Sequence, residues 1–123
     1  MIPGVVNGNL EATVRLVVCG SGGQEQEIAA VIDTGFNGFL TLSPALVRQL
    51  GLTHLGQSRA LLANGQEELL DLYEVTLLWD GQWRTVETDA ADTDALVGMA
   101  LLYRYSVYIE AVEGGQVVIA AFP

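Results

Sequence analysis

The sequence predicts a mainly β domain with one or two short helices, and three observations carry that prediction. Apolar and polar residues alternate at period two from Leu10 to Val18, as on a strand with one buried face. Turn-forming strings (Gly20-Ser21-Gly22-Gly23, Asn64-Gly65, Asp80-Gly81 and Gly114-Gly115) separate further apolar stretches. Only the segment from Ser43 to Gly51 carries both a start and a stop signal for a helix. Short strands joined by many turns argue for a closed or semi-closed antiparallel architecture.

Taken in order, Leu10, Ala12, Val14, Leu16 and Val18 form the buried face of a first strand. The glycine-rich turn leads into a second, Gln24 to Ile32, with Ile28, Ala30 and Ile32 on one side. Phe39 to Leu42 reads as a short strand. Ser43 is then a suitable N-cap, Pro44 a favoured first helical residue and Gly51 a stop, which gives a helix over Pro44 to Leu50. Ser58 to Ala63 and Gln66 to Leu72 flank Asn64-Gly65, a strong two-residue hairpin signal. Tyr73 to Trp79 and Gln82 to Thr88 flank Asp80-Gly81 in the same way. An acidic loop, Asp89 to Asp94, precedes the apolar Ala95-Leu96-Val97-Gly98. Met99 to Tyr103 fits one helical turn, and Ser106 to Val112 with Gln116 to Phe122 make a last hairpin.

With 123 residues the chain fits a single domain spanning 1–123, with no linker and no low-complexity segment. Hydrophobic residues make up 50% and charged residues 16%, a balance that favours a packed core over disorder. Polar residues break every apolar run, so no membrane span is expected. The first ten residues lack the basic and apolar regions of a signal peptide. Cys19 is the only cysteine, so no intrachain disulfide can form, which fits a cytoplasmic location. A net charge of −10, with five arginines and no lysine, repels phosphate backbones and argues against nucleic acid as a partner. The same acidity serves solubility and is compatible with basic substrates.

The most informative string is Ala30-Val31-Ile32-Asp33-Thr34-Gly35-Phe36. It sets one carboxylate at the end of an apolar strand, where desolvation is costly unless hydrogen-bond donors surround it. Thr34 and the Gly35 N–H are the nearest candidate donors, and Gly35 permits a tight turn.

Together with the Ala63-Asn64-Gly65 hairpin and the later Ala95-Leu96-Val97-Gly98-Met99 element, this string resembles the retropepsin-like aspartic peptidases of clan AA. The resemblance covers nearly the whole chain in the right order. It is nearest to bacterial and archaeal members with Asp-Thr-Gly-Phe, because Phe36 stands where many relatives carry Ala or Ser. It implies a retropepsin-like acid protease half-barrel, in which the elements around Asp33 and Gly98 form crossed loops and the Asn64-Gly65 hairpin closes over substrate. By the same resemblance Asp33, Thr34 and Gly35 are the catalytic residues. Phe36, Asn37, Leu62, Asn64, Gly65, Leu96, Val97 and Gly98 are then the substrate-binding ones. The Phe36 ring either narrows the site or lines a pocket.

Peptide hydrolysis by this route needs two carboxyl groups that share one proton. This chain has a single Asp-Thr-Gly, and Asp92-Thr93-Asp94 lacks both the glycine and an apolar lead-in strand. The second aspartate must come from a second copy, so the activity entails a homodimer with an isologous interface. Its C-terminal strand, Gln116 to Phe122, is the expected intersubunit element. The substrate is a peptide or protein. No metal or other cofactor is expected: one cysteine and one histidine, His54, are too few for a zinc site. Asp89, Asp92 and Asp94 lack the spacing of a calcium loop. The alternative reading is a non-catalytic, dimeric peptide-binding or scaffold module of the same fold.

Overall fold

The computed structural model describes residues 1–61 and 64–123. Ten strands and two short helices follow one another along the chain. They are β1 (Ile2–Val6), β2 (Ala12–Cys19), β3 (Glu25–Ile32), β4 (Leu40–Leu42), α1 (Pro44–Leu50), β5 (Thr53–Leu61), β6 (Glu67–Trp79), β7 (Gln82–Ala90), β8 (Leu96–Val97), α2 (Met99–Leu102), β9 (Tyr105–Ile109) and β10 (Gln116–Ala121). Six of the strands close into a barrel in the order β6-β7-β4-β8-β3-β2, with β2 returning to β6. The mainly β expectation with two short helices is therefore met, and the barrel is closed.

Two strands change partners along their length, and this makes closure possible. The first part of β2 pairs with β1 (Gly4↔Val14 to Val6↔Ala12), while its end pairs with β6 (Val17↔Leu78 to Cys19↔Thr76). Likewise the first part of β6 pairs with β5 and its later part with β7. Strands β1, β10 and β9 continue from β2 outside the ring, and β5 continues from β6.

The antiparallel expectation fails at two places, since β3–β8 and β4–β7 are parallel. The cause is the insertion of β8 between β3 and β4, which are consecutive in sequence. A strand that pairs antiparallel with β4 (Leu40↔Val97) while lying beside β3 must run parallel to the latter.

The core fills the barrel and the space under α1. Val14, Leu16, Val18, Ala30, Leu40, Leu42, Val75, Leu77 and Val97 come from the ring, while Val47 and Leu50 come from the helix. Helix α1 forms as its signals dictate. The Ser43 hydroxyl accepts the Leu46 N–H at 3.2 Å, Pro44 opens the helix and Gly51 ends it in the left-handed region (φ 62°). Its last carbonyl, that of Leu50, accepts bonds from the Ser21 N–H and the Gln24 amide, which ties α1 to the β2–β3 turn.

Strand β1 is not visible in the alternation pattern, because Pro3 and Gly4 interrupt it. Gly4 is required there, since a Cβ would run into the Thr13 carbonyl across the strand pair. Strand β6 is one element of 13 residues, not two shorter ones. Among the described residues, the pairing of β5 with β6 reaches as far as Leu61↔Glu67. The C-terminal strand β10 is flanked on both edges within its own chain, by β1 and β9. Val117 and Ile119 are fully buried core residues. Both edges of this strand are thus occupied within its own chain. Among the described residues no helix is long and apolar enough to cross a membrane.

Candidate functional site

Asp33 follows the last residue of β3, at the point where β8 has been slotted against that strand. Its N–H donates to the Val97 carbonyl at 2.9 Å, continuing the β3–β8 ladder by one bond. Its own carbonyl accepts the Phe36 N–H at 3.1 Å, which closes a turn over 33–36. Both backbone polar groups of Asp33 are thereby fixed. The side chain is half-buried, and Oδ1 accepts the Gly35 N–H at 3.0 Å.

Of the two donors expected from sequence, Gly35 serves the carboxylate. Among the described residues the Thr34 hydroxyl has no hydrogen-bond partner, and Thr34 and Gly35 are exposed. The carboxyl group is consequently less buried than the apolar lead-in strand suggests. A Cβ on Gly35 would lie 3.3 Å from Asp33 Oδ1, so glycine keeps the space around the acid open.

The turn is locked to the start of α2 by three further bonds. Gly98 N–H donates to the Phe39 carbonyl (3.0 Å), Met99 N–H to that of Phe36 (2.8 Å) and Ala100 N–H to that of Gly38 (3.1 Å). Gly98 and Gly38 are glycines for a packing reason. A Cβ on Gly98 would meet the Gly38 carbonyl and the Phe36 ring, and one on Gly38 would meet the same ring. Phe36 therefore lies over two glycines, and its half-buried ring also lines a cavity with Asn37, Gly38 and Leu72.

The remaining expected residues divide sharply. Leu96 is half-buried, between Val31 on β3 and Thr41 on β4. Val97 is completely buried, so its side chain belongs to the core and not to a pocket wall; its contribution to the site is the carbonyl that holds Asp33. Gly98 is buried too and acts by absence of bulk. Leu62 and Ala63 lie outside the described residues. Asn64 and Gly65 are exposed, and the Asn64 side-chain Oδ1 accepts the Gln66 N–H at 3.0 Å. No hydrogen bond among the described residues joins them to the Asp33 turn. The structure thus brings together Asp33, Gly35, Phe36, Val97 and Gly98, with Asn37 and Leu96 beside them.

Asp92, Thr93 and Asp94 are exposed, as their polar loop suggests. Asp89 differs. It belongs to β7, is half-buried, and receives the Ser58 hydroxyl on Oδ1 at 3.3 Å. Burial raises its carboxyl above the ordinary value of 3.8; the Ser58 bond opposes that shift and Glu87 adds to it. The signal was present in sequence: carrying the alternation Val86, Thr88 one step further puts Asp89 on the strand beside Glu87's face.

A larger cavity of ≈ 450 Å³ lies against Thr34, lined among others by Leu10, Ala12, Ile32 and Ile109. His54 is on β5, and its exposed ring contacts Asp71 at 3.1 Å. Among the described residues no three histidine, cysteine or carboxylate side chains converge as metal ligands. No family model, no curated protein and no solved structure matches this chain.

Proposed function

We propose that the protein is an aspartic endopeptidase of the retropepsin-like kind. Two copies pair so that Asp33 and its symmetry mate face each other and activate one water. One carboxylate takes the proton of the attacking water as general base. The other, protonated, donates to the scissile carbonyl; collapse of the tetrahedral intermediate returns a proton to the leaving amine. The pair shares a proton because two carboxylates about 3 Å apart cannot both ionise.

One observation carries the reading. The carboxylate of Asp33 stands at the mouth of the β3–β8–β4 crossing on a backbone fixed at both its N–H and its carbonyl, yet remains half-exposed and open on the Thr34–Gly35 side. Rigid presentation of an accessible acid is what a half-site needs, and among the described residues no other carboxylate of the same chain bonds to it. In this reading Gly35 lets the peptide approach, Phe36 and Asn37 contact substrate side chains, and the hairpin at Asn64-Gly65 closes over the extended peptide.

The test compares wild type with Asp33→Asn, which keeps shape and removes the acid, on a digest of denatured proteins. New termini should appear with wild type and not with the variant. Identical profiles, together with retained cellular function of Asp33→Asn, would establish instead the non-catalytic dimeric module.

A further inference from the structure

A second cavity, ≈ 130 Å³, adjoins the Asp33 turn and is walled from three directions. Phe36, Asn37 and Gly38 supply one wall, Leu72 of β6 another, and Glu87 and Asp89 of β7 the third. Its size is well below the roughly 300–1,000 Å³ of a whole small-molecule site, and it suits the end of one side chain. Two carboxylates share one wall because residues two apart on a strand face the same way. Asp89 is set in the middle of the sheet, between Leu72 on β6 and Thr41 on β4.

Taking a carboxylate partly out of water costs free energy that a cation or hydrogen-bond donors offset. Among the described residues, the ion pairs are those of the N-terminus with Asp80, Arg15 with Glu27, His54 with Asp71 and Arg59 with Glu67; none involves Asp89 or Glu87. The Ser58 hydroxyl gives Asp89 one neutral donor. The ring of Phe36 also lines the cavity, and an aromatic face attracts a flat cation. A metal would need further ligands, and no such group of three is present among the described residues. An organic cation needs only what the walls already offer.

We infer that this cavity is a subsite for a basic side chain, arginine or lysine, of the bound peptide, and that Asp89 is the residue that determines this specificity. The inference rests on the proposed peptidase reading for its substrate, since the cavity begins three residues after Asp33. Charge-assisted bonding to a partly desolvated carboxylate should discriminate against a neutral isostere by roughly tenfold to a hundredfold.

The experiment uses two probes of the full-length chain. The first is a pair of peptide substrates, chosen from the wild-type cleavage profile, that differ only in arginine against citrulline, its neutral isostere. The ratio of their kcat/KM values is independent of the fraction of folded enzyme. It should be ten or more for wild type and fall close to one in Asp89→Asn. A wild-type ratio near one, or a high ratio that survives in Asp89→Asn, overturns the inference. The second probe is N-acetyl-arginine N-methylamide, titrated against isotope-labelled protein with the citrulline analogue as control. Amide shifts should concentrate at 36–38, 58 and 87–89 and vanish in Asp89→Asn. If wild type cleaves nothing, the peptidase reading fails, and this titration alone decides the subsite: localised, Asp89-dependent shifts support it and their absence refutes it.

Discussion

Replacing Gly98 by alanine should unseat the Asp33 turn, and the size of the effect can be worked from its surroundings. Gly98 has φ −99° and ψ 175°, a conformation open to any residue, so backbone strain contributes nothing. The whole effect is steric: the added methyl meets the Gly38 carbonyl and the Phe36 ring. The ring can swing aside, but the carbonyl is backbone and is itself bonded to Ala100 N–H. Overpacking of this kind costs about 1–3 kcal/mol. Parting the two segments also weakens one or two of the three bonds that join 36–39 to 98–100, at about 1 kcal/mol each. The sum is about 2–5 kcal/mol. At roughly 4 °C per kcal/mol for a chain of this size, the Tm should fall by roughly 8–20 °C. Differential scanning calorimetry of Gly98→Ala against wild type measures it. Gly65→Ala is the control: φ is 84° there with open space around, so only a local conformational cost of about 1 kcal/mol applies. A Gly98→Ala Tm within 2 °C of wild type would refute the argument that the crossing is glycine-dependent.

Other consequences follow from the same structure. Because the folded-state pKa of Asp89 lies above its ordinary 3.8, the native state binds its proton more readily than the unfolded state does. Stability is therefore lost as pH rises from about 4 through the raised value, and Asp89→Asn, which cannot ionise, should escape this loss. Thermal melts from pH 3 to 7 should show the variant gaining on wild type as pH rises; parallel curves would contradict it. Ile119 is fully buried on β10, so Ile119→Ala should destabilise by about 2–5 kcal/mol in urea titration, and deletion of 117–123 should unfold the chain instead of yielding a soluble monomer. Peptidase activity per chain should rise with protein concentration and then saturate as dimers fill, checked by sedimentation on the same samples; full activity from a monomer would exclude the paired-aspartate mechanism. Activity should also fall toward alkaline pH as the shared proton leaves, and a flat profile past pH ~9 would contradict it.

Local chemistry wrote much of this fold into the sequence. Ser43, Pro44 and Gly51 fix α1 through bonds made within the helix itself, and Asp80-Gly81 turns β6 into β7 between residues already adjacent. The rest of the fold depends on distant partners. The pairing of β8 with both β3 and β4 brings residues 96–97 against 31–32 and 40–41, and two residues of apolar sequence cannot announce two neighbours. Strand β1 is held by β10 from the other end of the chain, which outweighs the Pro3-Gly4 interruption. At the site, the acid and its glycine were legible because the turn is local, from Asp33 to Phe36. At Val97 the side chain and the carbonyl serve different ends, which residue type alone does not reveal. At Asp89 an acidic run masks one more step of strand alternation.

The change of partner along β2 has a consequence for how the barrel assembles. Only Val17, Val18 and Cys19 meet Thr76, Leu77 and Leu78, and these two short segments lie roughly sixty residues apart in the chain. Every other seam of the ring except the short ones around β8 and β4 joins strands that are neighbours in sequence, or nearly so. The β2–β3 and β6–β7 hairpins can form early from local contacts, whereas the clasp at 17–19 and 76–78 must wait until both stand. Formation of the clasp, with the equally distant pairings of β8 to β3 and β4, is then the topologically demanding part of folding. The still shorter seams of β8 with β3 and with β4, two residue pairs each, are the places where the finished ring has least to break when it opens.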